Sequence, residues 1–145
     1  MTPQHQPART TGTDPLAEIA IVAPSPAAGL TLQRLAGRTV VAVSGELDSA
    51  STPSLREQLH IALRDTGAHV TIDLSGVTFC DSSGLAMLVG ACRRTEARGA
   101  IVVLAAPRAQ LAKLLEITGL LRAVTVRSSV TEAQASGPDI RSAAA

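Results

Sequence analysis

Short aliphatic segments alternate with segments of helical periodicity along most of the chain, and this alternation constrains the fold more than any other feature. Predicted strands cover Leu30 to Leu35, Thr39 to Val43, Val70 to Leu74, Ala100 to Ala105 and Ala123 to Val126. Between them, apolar residues recur every three or four positions, as on the buried face of a helix. Strands and helices that alternate through short connections predict an α/β sheet with right-handed crossovers.

The segment from Val40 to Val43 is apolar at every position, which favours a central strand covered on both faces. From the residues alone we therefore expect helices on both sides of the sheet. Thr52 is the predicted N-cap of the first helix, and Pro53 is its predicted first residue, because proline suits the first helical position.

The chain of 145 residues is predicted to form a single domain between two irregular ends. Residues 1–28 contain five prolines among Thr, Gln, Ser and Ala, which predicts a flexible leader. Residues 29–134 form the predicted domain, and residues 135–145 form a disordered, Ala-rich tail. We expect the leader to be dispensable for both stability and binding.

Composition and charge argue against nucleic acid and membranes as partners. The formal net charge is +1, and Phe79 is the only aromatic residue, so the chain offers neither a strong positive field nor stacking platforms. Its apolar runs are far shorter than the roughly 20 residues that span a bilayer. No basic start followed by an apolar stretch indicates a signal peptide, so we expect a cytoplasmic protein.

The motifs of the common enzyme classes are missing. Ser82 lacks the first glycine of the G-x-S-x-G elbow, and no Gly-Lys-Ser/Thr follows Gly76 or Gly84. The histidines are scattered over the leader, the first helix and a strand edge (His5, His60 and His69). Cys80 and Cys92 lack the C-x-x-C spacing of a metal site and are expected to be buried thiols. We therefore expect no enzyme activity, no cofactor and no metal.

The segment "FCDSSGLAMLVG", Phe79 to Gly90, places polar residues directly before an apolar helix. Asp81, Ser82 and Ser83 are all capping-type residues, and Gly84 permits close packing. One cap suffices for a helix, so three in a row also suit a functional loop, and the residues alone leave both interpretations open. Gly45 to Asp48 is better explained as a turn before a helix. Both loops follow strands, at the sheet edge where α/β proteins gather their sites.

Three linked segments resemble the STAS domain, and specifically the bacterial anti-sigma factor antagonists. They are "VVAVSGELDSAST" (Val40 to Thr52), "TIDLSGVTFCDSSGLAMLVGACRR" (Thr71 to Arg94) and "LLEITGLLRAV" (Leu114 to Val124). The resemblance extends from about Leu30 to Val126. It implies a single domain with a four- to five-stranded mixed β-sheet and helices packed mainly on one face.

The resemblance also implies a regulatory function rather than catalysis. In the family, the first serine of D-S-S-G is phosphorylated by a partner that is both anti-sigma factor and serine kinase, which makes Ser82 the expected acceptor. Asp81, Ser83 and Gly84 are expected to shape its loop, and Asp48 to lie beside it on the partner-binding surface. A phosphate on Ser82 is expected to meet free backbone amides at the helix N-terminus.

Partner switching is the mechanism that follows from this resemblance. The unphosphorylated protein binds the anti-sigma factor and frees a sigma factor, phosphorylation at Ser82 reverses this, and a phosphatase resets the cycle. Such proteins control transcription, as in stress response or sporulation. The alternative is a STAS subunit of a lipid- or anion-transport complex without phosphoregulation.

Overall fold

The computed structural model of the chain describes residues 18–21, 28–35 and 37–135. Six strands form one sheet in sequential order, with the bounds β1 Glu18–Ile21, β2 Ala28–Leu35, β3 Arg38–Leu47, β4 His69–Cys80, β5 Ile101–Ala105 and β6 Thr125–Arg127. The pairs β1–β2 and β2–β3 are antiparallel, whereas β3–β4, β4–β5 and β5–β6 are parallel. The five strands from β2 to β6 confirm the expected mixed sheet, and β1 adds a short strand beside β2.

Helices connect the parallel strands. They are α1 Thr52–Ala62, α2 Ser82–Ala97 and α3 Ala109–Ile117, with a 3-10 turn at Leu120–Arg122 and a last short helix, α4, at Val130–Ala135. Because β3 to β6 run in the same direction, each crossover returns the chain over the sheet before the next strand begins. Gly99 and Gly119 end two of these connections with φ of +99° and +77°, values that glycine adopts without strain.

Three helices cover one face of the sheet and enclose the main core. Val41 and Val43 of β3, Ile72 of β4 and Leu104 of β5 belong to the same buried cluster as Leu88 of α2. Leu55 and Leu59 supply the α1 side of this cluster, and Leu111 and Leu115 supply the α3 side. The helices are thus packed mainly on one face, as the family resemblance implied.

A second, smaller cluster lies on the opposite face. Val103 and Ala105, which alternate with the inward residues of β5, pack with Ala133 of α4. Val40 lines a depression there together with Val130 and Gln134. The apolar run in β3 is explained by this arrangement, because α4 lies on the face that α1 to α3 leave open. From that run we expected helices on both sides of the sheet; among the described helices, three lie on one face and the short α4 alone lies on the other.

Two details at the chain's predicted boundaries differ from the sequence analysis. The helix α1 begins at Thr52, so Ser51 occupies the N-cap position and Pro53 is the second helical residue. Residues 18–21 of the predicted leader pair with β2, in register from Glu18 opposite Arg34 to Ile21 opposite Thr31. Residues 1–17, 22–27 and 136–145 lie outside the described residues, so the division into leader, domain and tail stays a prediction.

Candidate functional site

The two polar loops singled out in the sequence meet at one edge of the sheet. Leu47 and Cys80, the last residues of β3 and β4, are register partners in the parallel pair. One residue further on, the Asp81 N–H donates to the Leu47 carbonyl oxygen at 3.0 Å. The G-E-L-D loop and the D-S-S-G loop therefore leave the sheet side by side.

Asp81, one of the three capping-type residues of the motif, is the N-cap of α2. Its backbone is extended, with φ −104° and ψ −172°, and its Oδ1 atom accepts the Ser83 N–H at 2.9 Å and the Gly84 N–H at 3.0 Å. The same oxygen accepts the Ser83 hydroxyl at 2.7 Å. Together these hydrogen bonds hold the pKa of Asp81 below its usual 3.8. The bond from the Ser83 hydroxyl contributes most and that from the Gly84 N–H comes next, while hydrogen bonds from the backbones of Ser83 and Ser49 contribute less.

The two serines differ in what their hydroxyl groups do. Ser82 is the first residue of α2 and is exposed, and its hydroxyl makes no hydrogen bond to any described residue. Ser83 is the second residue, is half-buried, and donates its hydroxyl to Asp81. Sequence spacing alone could not separate these two side chains, but their surroundings do.

Most of the backbone amides that a phosphate was expected to meet are already occupied. The N–H groups of Ser83 and Gly84 both donate to Asp81 Oδ1, and the Leu85 N–H donates to the Asp81 carbonyl oxygen at 2.9 Å. A phosphate on Ser82 would compete with a carboxylate for the first two of these donors. The expectation of free amides is therefore corrected for Ser83 and Gly84, whose N–H groups serve the N-cap, while the Ser82 N–H makes no hydrogen bond to any described residue.

Gly84 provides the close approach that the motif predicted. A β-carbon at this position would lie 2.6 Å from Leu47 Cβ, 2.7 Å from the Leu47 carbonyl oxygen and 3.0 Å from Cys80 Sγ. Only glycine allows the first turn of α2 to lie against the end of β3. The contact fixes the helix N-terminus relative to the neighbouring loop.

Asp48 organises the start of α1. Its Oδ1 atom accepts the N–H groups of Ala50 and Ser51, both at 3.0 Å, and its carbonyl oxygen accepts the Thr52 N–H at 2.9 Å and the Thr52 hydroxyl at 2.6 Å. Capping by Asp48 explains why the helix begins one residue earlier than predicted. Its carboxylate is half-buried and satisfied locally, on the loop adjacent to Asp81.

Gln110, near the start of α3, is a site residue that the sequence analysis did not find. Its side-chain amide accepts the Cys80 N–H at 2.9 Å and donates to the Cys80 carbonyl oxygen at 2.8 Å. The last residue of β4 is thereby held from both sides, by β3 through the backbone and by α3 through Gln110. No local pattern identifies this role, because it depends on how far β4 extends past β5.

Phe79 adds an apolar group to this edge. Although it is the only aromatic residue of the chain, 43% of it is exposed. It lies three residues before Ser82 and is the register partner of exposed Glu46 on β3. An exposed aromatic ring among charged and hydroxyl groups is typical of a protein-binding surface.

The cysteines do not contribute a nucleophile. Both are buried and free, and burial raises the pKa of Cys80 to about 11 and that of Cys92 to about 12. Within residues 18–21, 28–35 and 37–135, no group of three His, Cys, Asp or Glu side chains is placed to hold a metal ion. Across the same residues, no helix has the length and apolar character needed to cross a membrane.

Comparison with protein families identifies the domain. The family model described as the STAS domain matches residues 29–133. The chain belongs to the STAS domain family. Among curated relatives of this STAS domain, the anti-sigma-B factor antagonist of Bacillus subtilis is 38% identical over 80 residues, which cover 55% of this chain and 72% of the relative. The anti-sigma-B factor antagonist of Listeria monocytogenes is 34% identical over 86 residues, or 59% of this chain and 75% of the relative.

Solved structures share the fold of this STAS domain. An anti-sigma factor antagonist from Mycobacterium paratuberculosis superposes with a TM-score of 0.68 at 24% identity, over 77% of this chain and 96% of that one. The phosphorylated form of a Bacillus cell fate determinant gives 0.52 at 20% identity, over 80% and 96%. A sulfate transporter family protein from Wolinella succinogenes gives 0.59 at 19% identity, over 69% and 84%.

Proposed function

We propose that this STAS domain is an anti-sigma factor antagonist that acts by partner switching in the cytoplasm. Unphosphorylated, it binds an anti-sigma factor that is also a serine kinase, and a sigma factor is released. Phosphorylation of Ser82 ends this binding, and a phosphatase restores it. The domain itself is a regulatory binding protein and not an enzyme. Its similarity to curated anti-sigma-B factor antagonists supports this proposal.

The observation that carries the proposal is the contrast between Ser82 and Ser83. A kinase needs a hydroxyl that is exposed and free to approach ATP, and among the described residues the Ser82 hydroxyl has no partner. The Ser83 hydroxyl is held by Asp81 at 2.7 Å. Phosphorylation of Ser83 would first break this bond and then place two anionic groups together.

The local charges explain how phosphorylation would reverse binding. A phosphate adds about −1.5 to −2 charges. Because Asp81 occupies the amides of Ser83 and Gly84, a phosphate on Ser82 that does not displace this carboxylate extends toward solvent, where we expect the partner to dock. The positive end of the α2 dipole still tolerates the added charge, so the fold is retained while the interface becomes repulsive.

Kinase assays on matched serine variants test the proposal. Each candidate anti-sigma factor kinase of the source genome is incubated with ATP and with wild type, Ser82→Ala or Ser83→Ala, and phosphate is located by mass spectrometry. We expect one phosphate on Ser82, none on Ser82→Ala, and retained labelling of Ser83→Ala. Ser82→Ala should still bind the anti-sigma factor, whereas Ser82→Asp should bind poorly.

Two results would contradict the proposal in different ways. Phosphate on Ser83 with Ser82 unmodified would overturn the assignment of the acceptor. No phosphate on either serine, with kinases shown to be active on another substrate, would favour the transport-complex alternative.

A further inference from the structure

A groove between α1 and α2 is a second surface feature, distinct from the serine loop. It has a volume of about 430 Å³ and is lined by Pro53, Arg56, Glu57, His60 and Arg94. Both helices begin at the sheet edge that carries Ser82. The groove includes Pro53 from the start of α1 and Arg94 from the last turns of α2, so it lies on the helical layer and extends away from that edge.

Arginine dominates the charge of this groove and of its continuation. Arg56, His60 and Arg64 are spaced by four residues along α1 and the turn after it, and Arg94 and Arg98 have the same spacing along α2 and its C-cap. Arg64 and Arg98 line an adjoining depression together. Glu57 supplies the only carboxylate among the residues that line the two cavities.

Two of these arginines, Arg56 and Arg94, differ from others on the surface in having no internal partner among the described residues. Arg98 of the same set donates to the Leu63 carbonyl oxygen at 2.8 Å. Arg34 donates to the Asp65 carbonyl oxygen and Arg108 to the Ser75 carbonyl oxygen. By contrast, Arg56 and Arg94 form no hydrogen bond or ion pair with any of the residues that the structure describes. Unpaired cations collected along one groove repel one another, so the arrangement suits an anion supplied from outside.

We propose that this groove binds an acidic segment of the anti-sigma partner, in addition to the contact at Ser82. The inference rests on the proposed function for the identity of that partner. A protein segment fits better than nucleic acid, because the net charge of the chain is only +1 and no aromatic side chain lines the groove. Rim charges of this kind mainly accelerate association and select the partner.

Charge reversal tests the assignment with a matched control. The groove variant is Arg56→Glu with Arg94→Glu, and the control is Lys113→Glu with Arg122→Glu, which changes the net charge equally at exposed positions on α3 and the 3-10 turn. Urea unfolding checks that both are folded, and Arg56→Gln with Arg94→Gln replaces the groove variant if it is not. Affinity and association rate for the anti-sigma factor are measured at 50, 150 and 400 mM salt, over which the Debye length falls from roughly 14 Å to roughly 5 Å.

We expect the groove variant to bind about tenfold more weakly at 150 mM salt, through slower association and with a weaker salt dependence. The control should remain within about twofold of wild type. Equal affinity of groove variant and control would overturn the inference while leaving the proposed function intact. The inference would also be overturned if single-stranded RNA bound wild type and not the groove variant, while the groove variant bound the anti-sigma factor as wild type does.

A second probe separates failure of the inference from failure of the proposed function. If wild type binds no anti-sigma factor, the proposed function fails. Binding of a fluorescein-labelled deca-glutamate peptide, measured by fluorescence anisotropy at low salt, then tests whether the groove takes an acidic ligand. If wild type and the control variant bind this peptide and the groove variant does not, the result supports an acidic ligand in the groove. No binding, or equal binding by both variants, overturns it.

Discussion

Gly84 lies so close to Leu47 that a β-carbon added to the glycine would stand 2.7 Å from the Leu47 carbonyl oxygen. We expect Gly84→Ala to lower the free energy of unfolding by about 1–3 kcal/mol, because backbone must move to admit the methyl group. Gly90→Ala, in the same helix, is the matched control, since its β-carbon meets only the flexible end of Arg94 at 3.3 Å. Urea unfolding of both variants measures the two free energies of unfolding. Equal values would show that the contact with Leu47 admits a methyl group without a cost in stability.

The carboxylate of Asp48 caps α1, so its role in binding has to be separated from its role in folding. Asp48→Ala loses two backbone hydrogen bonds and should cost about 1 kcal/mol, whereas Asp48→Asn keeps an acceptor oxygen and should be nearly as stable as wild type. If the charge contacts the partner, both variants should weaken anti-sigma factor binding by about tenfold or more, or 1.4 kcal/mol. Calorimetry measures the affinity, and an Asn variant that binds like wild type would reduce Asp48 to a helix cap.

Asp81 predicts a defined pH dependence of stability. Its pKa is lower in the folded state than the ordinary 3.8, chiefly through the Ser83 hydroxyl, so the ionised form stabilises the fold. This contribution is complete at neutral pH and is lost as the pH falls below about 4. The stability difference between wild type and Asp81→Asn should therefore shrink on acidification to pH 2.5, as followed by urea unfolding. In Ser83→Ala, carbon NMR should show the Asp81 pKa moved back toward 3.8, and an unchanged pKa would argue against this cause.

Ala106, which follows β5, has a φ of +56° that is unusual for a residue with a side chain. Its N–H donates to the Arg127 carbonyl oxygen at 2.9 Å, which holds this conformation in place. Ala106→Gly should raise the free energy of unfolding by about 0.5–1 kcal/mol, because glycine relieves the strain at a smaller entropic cost. Ala105→Gly, one residue earlier in the buried strand, should destabilise instead, and a loss of stability in both variants would contradict the expected relief of strain.

Two truncations test the role of the first strand. Removal of residues 1–17 should leave stability and partner binding unchanged. Removal of residues 1–27 also deletes β1, whose pairing with β2 spans four residues, and should cost about 1–2 kcal/mol, in contrast to the fully dispensable leader that the sequence alone predicted. Thermal unfolding of the two proteins distinguishes the contributions, and equal melting temperatures would show that β1 adds nothing to the fold.

Local chemistry made the serine loop predictable. Asp81 caps α2 because a short acceptor side chain precedes an apolar helical pattern, and Gly84 allows close packing because it has no side chain. The alternation of strands and helices likewise fixed the α/β class. Periodicity does not indicate which face of a sheet a helix covers. The apolar segment from Val40 to Val43 favoured helices on both faces, whereas the family resemblance implied helices mainly on one face.

Non-local contacts account for what sequence reasoning missed. The role of Gln110 depends on β4 extending beyond its neighbour, which no pattern within α3 reveals. The start of α1 was misplaced by one residue because Asp48, four residues upstream of Thr52, completes the cap. Ser82 and Ser83 are the same residue type at adjacent positions, and only the folded structure shows that Asp81 holds the hydroxyl of Ser83 while Ser82 is exposed. The assignment of Ser82 as the phosphate acceptor stays a prediction.

The hydrogen bonds of Gln110 have a further consequence for how other chains can attach. β4 pairs with β5 only as far as Asp73, opposite Ala105, so its last residues would present an open strand edge. Arg108 closes that edge at the Ser75 carbonyl oxygen, at 2.7 Å, and Gln110 closes it at both polar groups of Cys80. Side chains thus block addition of a foreign β-strand beside the serine loop. A second copy that added a strand at this edge would first have to displace both side chains, so a partner arriving there meets folded side chains rather than free main-chain groups.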